Sequence, residues 1–90
     1  MSATAISAVV PRRRTVVAGE VRSVVSYQRP WVRTDVELGD GTGVIVLRFI
    51  GRAVVPGFAC GRRVIARGTP MLDRSALVML NPVYSFEVVG

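Results

Sequence analysis

Residues 31–51, WVRTDVELGDGTGVIVLRFIG, predict a β-hairpin around which the rest of the chain is arranged. The first half alternates valine, threonine and leucine with arginine, aspartate and glutamate, the period-two pattern of a strand with one buried face. The second half alternates in the same way, with Ile45, Leu47 and Phe49 toward the core. Between the halves, Asp40-Gly41 is the dipeptide that most readily adopts the left-handed geometry of a tight turn. The sequence therefore predicts a hairpin closed by a two-residue loop.

Such a loop sets a register in which Arg33 and Arg48 lie directly opposite each other on the outer face of the hairpin. Like charges in that position are mildly destabilising, unless something anionic lies over them. Asp35, one step along the same face, could equally neutralise both arginines. The residues alone leave these two interpretations open.

The composition favours a small all-β domain with a strongly basic surface. Ninety residues are enough for one domain that buries roughly 60% of its unfolded surface. Half of them are hydrophobic, many of them valine and isoleucine, and the helix-forming residues do not cluster at helical spacing. Twelve arginines against six acidic residues give a formal charge of +6. An arginine excess of this size favours polyanionic partners or membrane surfaces, although charge also serves plain solubility.

Several classes of protein are not expected from these residues. The single cysteine, Cys60, excludes an internal disulfide and is predicted to be a small buried filler, and the lack of histidine argues against a metal site. The glycines of residues 39–43 lie in a hairpin with no helix after them, so they predict a turn rather than a phosphate-cradling loop. With no nucleophile–base pair either, we expect a non-enzyme without cofactors.

The predicted location is cytoplasmic, with no membrane partner. No apolar run approaches the roughly 18 residues of a membrane-spanning helix. The N-terminus also lacks the basic region that precedes the apolar part of a signal peptide.

Residues 1–14 are predicted to form a flexible basic N-terminal arm, and residues 15–90 the folded domain. The first eleven residues have no periodicity and end in a proline, which is typical of a loose segment. Arg12, Arg13 and Arg14 follow directly. They are either a solvated charge run or an arm that binds phosphates, and both interpretations stay open.

The remaining segments complete a set of five predicted strands. Residues 15–27 form a long first strand with a bulge or bend near Gly19, shared between two sheets as in small closed barrels. Residues 52–61 predict a loop or a single helical turn that seals the barrel with Val54, Val55 and Phe58. The other predicted elements are strand four at residues 62–69, a connection at 71–74, strand five at 75–80 and an extended tail at 83–89.

Five strands with short links and one longer link after the third are the layout of a five-stranded Greek-key OB-fold barrel with little or no helix. Its predicted core positions are Val17, Val21, Val36, Leu38, Ile45, Leu47, Phe49 and Val64.

The connection between the first two strands carries two aromatic residues around an arginine. Tyr27, Arg29 and Trp31 lie close together here, with Pro30 breaking the strand. The aromatic rings either pack over the mouth of the barrel or form a platform on which bases stack beside an arginine. The sequence does not choose between these interpretations.

The chain resembles the short OB-fold nucleic-acid-binding proteins of actinobacteria. The segments that carry the resemblance are VVAGEVRSV, DGTGVIVLRFIGR, VPGFACGRRVIARGTP and MLNPVYSFEV, which together span about residues 15–88. The same segments look like the wedge domain of the branched-DNA helicase RecG and, more distantly, the anticodon-binding OB domains of class II tRNA synthetases. Most of the shared residues are glycines, prolines and turn residues, so the resemblance is specific for architecture and weak for the ligand.

The resemblance implies that single-stranded or branched DNA, or RNA, binds on the face of strands two and three. The residues implied are Trp31, Arg33 and Arg48 on that face, with Tyr27, Arg29 and Arg74 on its rims. Asp35 and Glu37 on the same face depart from the family picture and would weaken binding there. We therefore expect a non-catalytic nucleic-acid-binding module, with a protein-interaction module of the same fold as the alternative. The oligomeric state is not predicted.

Overall fold

The computed structural model describes residues 2–53 and 55–87, and their regular structure is almost entirely β. One short 3₁₀ helix, Ile6–Ala8, precedes seven strands. The strands are β1 (Thr15–Tyr27), β2 (Arg33–Gly39), β3 (Val44–Ile50), β4 (Arg63–Gly68), β5 (Pro70–Asp73), β6 (Ala76–Leu80) and β7 (Val83–Phe86). The predicted all-β class is thus confirmed.

The strands form a single mixed sheet in the order β5-β6-β3-β2-β1-β4-β7. Every neighbouring pair is antiparallel except β3 and β6, which run parallel. The sheet does not close into a barrel, so the five-stranded Greek-key OB barrel is not confirmed. Strand β1 connects the two halves, since its first part pairs with β4 and its second part with β2.

Strand β1 changes partners through a bulge, as predicted, but at a different residue. Its register against β2 shifts between Val21 and Ser23, so Arg22 is the extra residue. Gly19 instead permits a close backbone approach. A Cβ atom at this position would lie 2.6 Å from the carbonyl oxygen of Gly39, which any side chain would push away.

The eight predicted core positions are all buried, at 2% exposure or less. Alternation along β2 and β3 therefore assigned the correct residues to each face. Phe49 extends the core into an aromatic group, formed with Phe58, Tyr84 and Phe86, in which each ring centroid lies within 6 Å of at least two others. Val55 is buried as expected, whereas Val54 lies outside the described residues.

Two predictions about the second half of the chain are wrong in their strand assignment. The predicted connection at 71–74 is mostly strand β5, which turns at Arg74-Ser75 and pairs with β6. Pro70 suggested a break, yet proline is tolerated as the first residue of an edge strand. The predicted tail begins with strand β7, which pairs with β4 along Val83–Phe86. The final residues of that tail, 88 and 89, lie outside the described residues.

One smaller expectation is confirmed and another fails. Residues 52–61 form a loop with turns in their described part, which is one of the two predicted alternatives. Cys60 is exposed rather than a buried filler, with its Sγ 3.5 Å from the carbonyl oxygen of Arg22. The turn glycine Gly61, whose φ is 89°, redirects the chain directly after the cysteine and leaves it at the surface.

The N-terminal segment packs against the sheet instead of extending loosely from it. Ile6 is buried at 5% exposure in the same core as β1 to β4. The Thr4 N–H donates to the carbonyl oxygen of Val16, and the Arg12 N–H donates to that of Pro70, both at 2.7 Å. Within the arm predicted to be flexible, residues 4 and 12 are therefore each held by a backbone hydrogen bond.

Candidate functional site

The loop of the central hairpin is longer than predicted, which changes the cross-strand pairs. Residues 40–43 form a four-residue loop, so Arg48 lies opposite Asp35 rather than opposite Arg33. Arg33 lies opposite Ile50. Because the shift is two residues, all these side chains stay on the expected outer face. The predicted Arg33–Arg48 pair is wrong, while their shared face is correct.

Asp35 bridges the two arginines. Its carboxylate accepts hydrogen bonds from Nε and Nη2 of Arg48, at 3.0 and 3.2 Å, in a bidentate arrangement. Its Oδ2 also lies 3.7 Å from Nε of Arg33. These contacts favour neutralisation by Asp35, one of the two interpretations that the sequence left open.

A second carboxylate reaches the same guanidinium from β5. Nη1 of Arg48 donates to Oδ2 of Asp73 at 2.8 Å. This hydrogen bond lowers the pKa of Asp73, and the hydrogen bonds that Arg48 donates to Asp35 and Asp73 raise the pKa of Arg48 above its usual value. Arg48 is therefore engaged by two carboxylates, which leaves little of it for a phosphate. Sequence reasoning missed Asp73 because the segment around it was assigned to a connection.

Arg33 is held differently, by an aromatic ring. Its guanidinium carbon lies 4.5 Å from the ring centroid of Tyr27, its cross-strand partner on β1. Its Nε is buried and has no hydrogen-bond partner among the described residues, although Asp35 is near. The side chain keeps 23% exposure, so Arg33 combines a fixed position with access to solvent.

The end of β1 and the loop that joins it to β2 carry two exposed aromatic side chains. Trp31 is 58% exposed and Tyr27 is 39% exposed, and neither belongs to the core cluster. Arg29 is exposed beside the cis peptide bond that it forms with Pro30. The packing interpretation therefore does not describe Trp31, whose indole lies mostly in solvent.

The structure brings some of the remaining predicted residues to this face and places others elsewhere. Arg74 is exposed in the β5–β6 turn, and its charge and that of Arg33 both lower the pKa of the neighbouring Asp73. Arg12, Arg13 and Arg14 are exposed on the N-terminal segment, where the backbone of Arg12 is bound to the start of β5. The candidate site thus consists of Tyr27, Arg29, Trp31, Arg33 and Arg74, with Arg48, Asp35 and Asp73 as a network beneath them.

The sequence predicted Asp40 as a turn residue but not the hydrogen bonds of its side chain. Its Oδ1 accepts hydrogen bonds from the Thr42 hydroxyl and from the N–H groups of Thr42 and Gly43, while its Oδ2 accepts one from the N–H of Ile6. These hydrogen bonds, that of the Thr42 hydroxyl above all, lower the pKa of Asp40 to about 2. An aspartate followed by Gly-Thr-Gly is a known former of such side-chain-to-backbone turns, so a signal for the loop was present.

Comparison with known proteins adds no family to this description. Neither a scan against protein-family models nor a search of curated proteins finds a match to the chain. Within residues 2–53 and 55–87 no helix has the length and apolar character needed to cross a membrane. The same residues contain no cluster of three or more acidic or cysteine side chains that could hold a metal ion.

Proposed function

We propose that this protein is a non-catalytic module that binds single-stranded or branched nucleic acid on the outer face of β2 and β3. The observation that carries the proposal is the exposed Trp31 beside the Tyr27–Arg33 pair. An exposed indole offers an unpaired base a surface on which to stack, whatever the base is. Arginines around it supply the positive charge that attracts the phosphate backbone.

The strand pairing supports an OB-like arrangement as part of this proposal. Strand β1 pairs with both β2 and β4, and β3 pairs in parallel with β6. OB-folds are five-stranded, partly open barrels, and their strand 2–3 face is the usual place for nucleic acid. In this interpretation β5 and β7 are additions at the two ends of the sheet.

The side chains divide into two groups by their availability. Arg29 and Arg74 are exposed and form no ion pair within the described residues, so we assign them to the phosphates. We assign Arg33 to both roles: it packs on Tyr27, and the accessible part of its side chain can contact a phosphate. Arg48 is assigned to positioning, since its guanidinium already binds Asp35 and Asp73.

A fluorescence anisotropy titration tests the proposal. Labelled single-stranded, duplex and forked oligonucleotides of DNA and RNA are compared at two salt concentrations. We expect tighter binding of single-stranded or forked ligands than of the duplex, with affinity falling steeply as salt rises. Equal binding of all ligands would indicate charge attraction alone, and the stacking site would be rejected.

A protein-interaction module is the second candidate, and the β5–β6 hairpin favours it. Leu72, Met71 and Leu80 are large apolar residues of this hairpin with 58%, 44% and 44% exposure, and exposed apolar side chains favour contact with a protein partner. If no oligonucleotide binds even at low salt, this second candidate replaces the first.

A further inference from the structure

A groove crosses the surface formed by β1, β4 and β7, and none of the residues that line it belongs to the candidate site. Its main part, of about 370 Å³, is lined by Arg14, Thr15, Val16 and Arg67. Arg67 also borders a smaller depression of about 80 Å³, which continues onto β7 and is lined by Ile65, Val83, Tyr84 and Ser85. The cross-strand pairs Val16–Arg67 and Arg67–Val83 place these residues in one row across three strands.

The groove is positively charged without any counter-charge in its walls. Neither Arg14 nor Arg67 forms an ion pair with a described residue, and no acidic side chain lines either depression. An anionic ligand would therefore meet two exposed guanidinium groups without displacing a carboxylate. Arg48 differs in this respect, because its guanidinium is already bound by Asp35 and Asp73.

The floor of the groove is aliphatic, which separates it chemically from the Trp31 site. Val16, Ile65 and Val83 line it, and Val83 is 66% exposed. The one aromatic residue, Tyr84, is packed against Phe49 and Phe58 with ring centroids 5.5 and 4.8 Å away. A nucleobase would find no free ring for stacking here. Aliphatic side chains of a peptide fit such a floor better.

Among residues 2–53 and 55–87, no strand pairs with the outer edge of β7, which lies beside this groove. The Glu87 N–H donates to the carbonyl oxygen of Arg63, and hydrogen-bonded pairs alternate along an antiparallel ladder. The backbone N–H and C=O groups of Tyr84 and Phe86 therefore point away from β4, where the sheet ends. The strand VYSF carries no charge and no proline that would protect this edge from pairing.

We propose that β7 binds an extended acidic peptide segment by strand addition, with carboxylates of the peptide reaching Arg67. The added strand would exchange backbone hydrogen bonds with Tyr84 and Phe86, and its apolar side chains would cover Val83 and Ile65. Neighbouring strands lie about 4.8 Å apart, so the new strand is roughly 10 Å from β4. An arginine and a glutamate side chain together span that distance. The proposal is independent of nucleic-acid binding at Trp31.

The test uses the full chain and a fluorescein-labelled peptide of repeating Val-Ser-Glu-Ser units, capped at both ends. An added strand of this sequence places valine and glutamate in turn on the one face that meets Val83, Ile65 and Arg67. We expect saturable binding at low salt that weakens as salt is added. A peptide with lysine in place of glutamate should bind at least about threefold more weakly. A peptide with N-methyl groups on the backbone amides that face β7 should lose about tenfold or more, because it cannot donate the ladder hydrogen bonds.

Two protein variants locate the site. Arg67→Glu should weaken peptide binding at least about threefold, whereas Arg52→Glu, an equally simple charge reversal at an exposed loop residue, should leave it unchanged. Trp31→Ala should also leave it unchanged. Undetectable peptide binding, full binding of the N-methylated peptide, or equal losses for Arg67→Glu and Arg52→Glu would each overturn the proposal. So would displacement of the peptide by an oligonucleotide whose own affinity falls in Arg67→Glu, because the groove would then carry nucleic acid.

Discussion

At the scale of single residues, the aromatic and basic side chains of the candidate site differ in how accessible they are to a ligand. Trp31 lies mostly in solvent, whereas Arg48 is bound on two sides by carboxylates. A sequence pattern can assign both residues to one face, but it cannot show which of them is already occupied. We therefore expect Trp31, Arg33 and the exposed loop arginines to contribute more than Arg48 to the free energy of oligonucleotide binding.

Trp31→Ala should weaken binding of single-stranded oligonucleotides roughly 5- to 150-fold, because stacking contributes about 1–3 kcal/mol per base. The slope of log affinity against log salt should hardly change, since no charge is removed. The matched control is Leu72→Ala, which removes an equally exposed side chain, also at 58%, from the β5 edge. Unaltered affinity in Trp31→Ala, measured by anisotropy on a variant with normal thermal stability, would contradict the stacking role.

Asp73→Asn should strengthen oligonucleotide binding by roughly two- to fivefold. Asp73 is half exposed and holds Nη1 of Arg48, so loss of its charge makes that guanidinium available to a phosphate. The salt slope should increase in magnitude by up to about 0.7, the contribution of one phosphate contact on a single strand. Glu20→Asn removes an exposed carboxylate from β1 and controls for the change in net charge. Equal gains in both variants would mean that net charge alone is responsible.

At the scale of elements, alternation predicted the faces of the strands and failed at their connections. All eight predicted core positions are buried, as the period-two pattern predicts for side chains on the inner face of a strand. Loop length has no such pattern. The Asp40-Gly41 pair suits a two-residue turn, but the Asp40 carboxylate binds Thr42 and Gly43 and so stabilises a four-residue loop. This difference in loop length alone makes Asp35, and not Arg33, the cross-strand partner of Arg48.

The same carboxylate connects the hairpin loop to the N-terminal segment, a contact 34 residues apart in sequence. Residues 2–11 have no periodicity of their own, so nothing in them predicted that Ile6 would enter the core. The burial of Ile6 depends on the shape of a surface built by β1 to β4. The same limit applies to the candidate site, because the link from Asp73 to Arg48 exists only after β5 folds beside β6.

The pH dependence of stability should reveal the role of Asp40. Hydrogen bonds lower its pKa from 3.8 to about 2 in the folded protein. A carboxyl group with a lowered folded-state pKa stabilises the fold above its unfolded pKa, and this contribution is lost as the pH falls through the folded pKa. The loss should therefore occur between about pH 4 and pH 2. Asp40→Asn, which cannot titrate, should show a shallower decline over this range in urea midpoints. Parallel curves for the two proteins would contradict this role.

At the scale of the whole molecule, two surfaces that carry arginines differ in the acidic residues beside them. The Trp31 face carries arginines interleaved with Asp35 and Asp73, while Arg14 and Arg67 border a groove without acidic residues. A net charge of +6 alone would predict uniform attraction to any polyanion. Because the arginines of the two surfaces differ in their acidic neighbours, variants of the Trp31 face should change oligonucleotide binding, and variants of Arg67 should change peptide binding.

The N-terminal arginines test how far nucleic acid extends over this surface. Deleting residues 1–14 no longer isolates their charge, because it also removes Ile6 and about 1.5–3 kcal/mol of burial energy. A triple variant, Arg12→Gln, Arg13→Gln and Arg14→Gln, retains Ile6 and changes only side chains that are exposed. If all three contact phosphates, the salt slope for single-stranded oligonucleotides should fall by about two, since each contact contributes roughly 0.7.

A matched triple variant distinguishes the loss of net positive charge from the loss of specific phosphate contacts. Arg52→Gln, Arg62→Gln and Arg63→Gln removes the same number of exposed arginines from the β3–β4 connection and the start of β4. Its slope should stay close to that of the parent, because none of these residues belongs to the proposed nucleic-acid site. Equal slopes for the parent and the N-terminal variant would return residues 12–14 to the role of a solvated charge run. The nucleic acid would then be confined to the face of β2 and β3, where Trp31 provides the stacking surface.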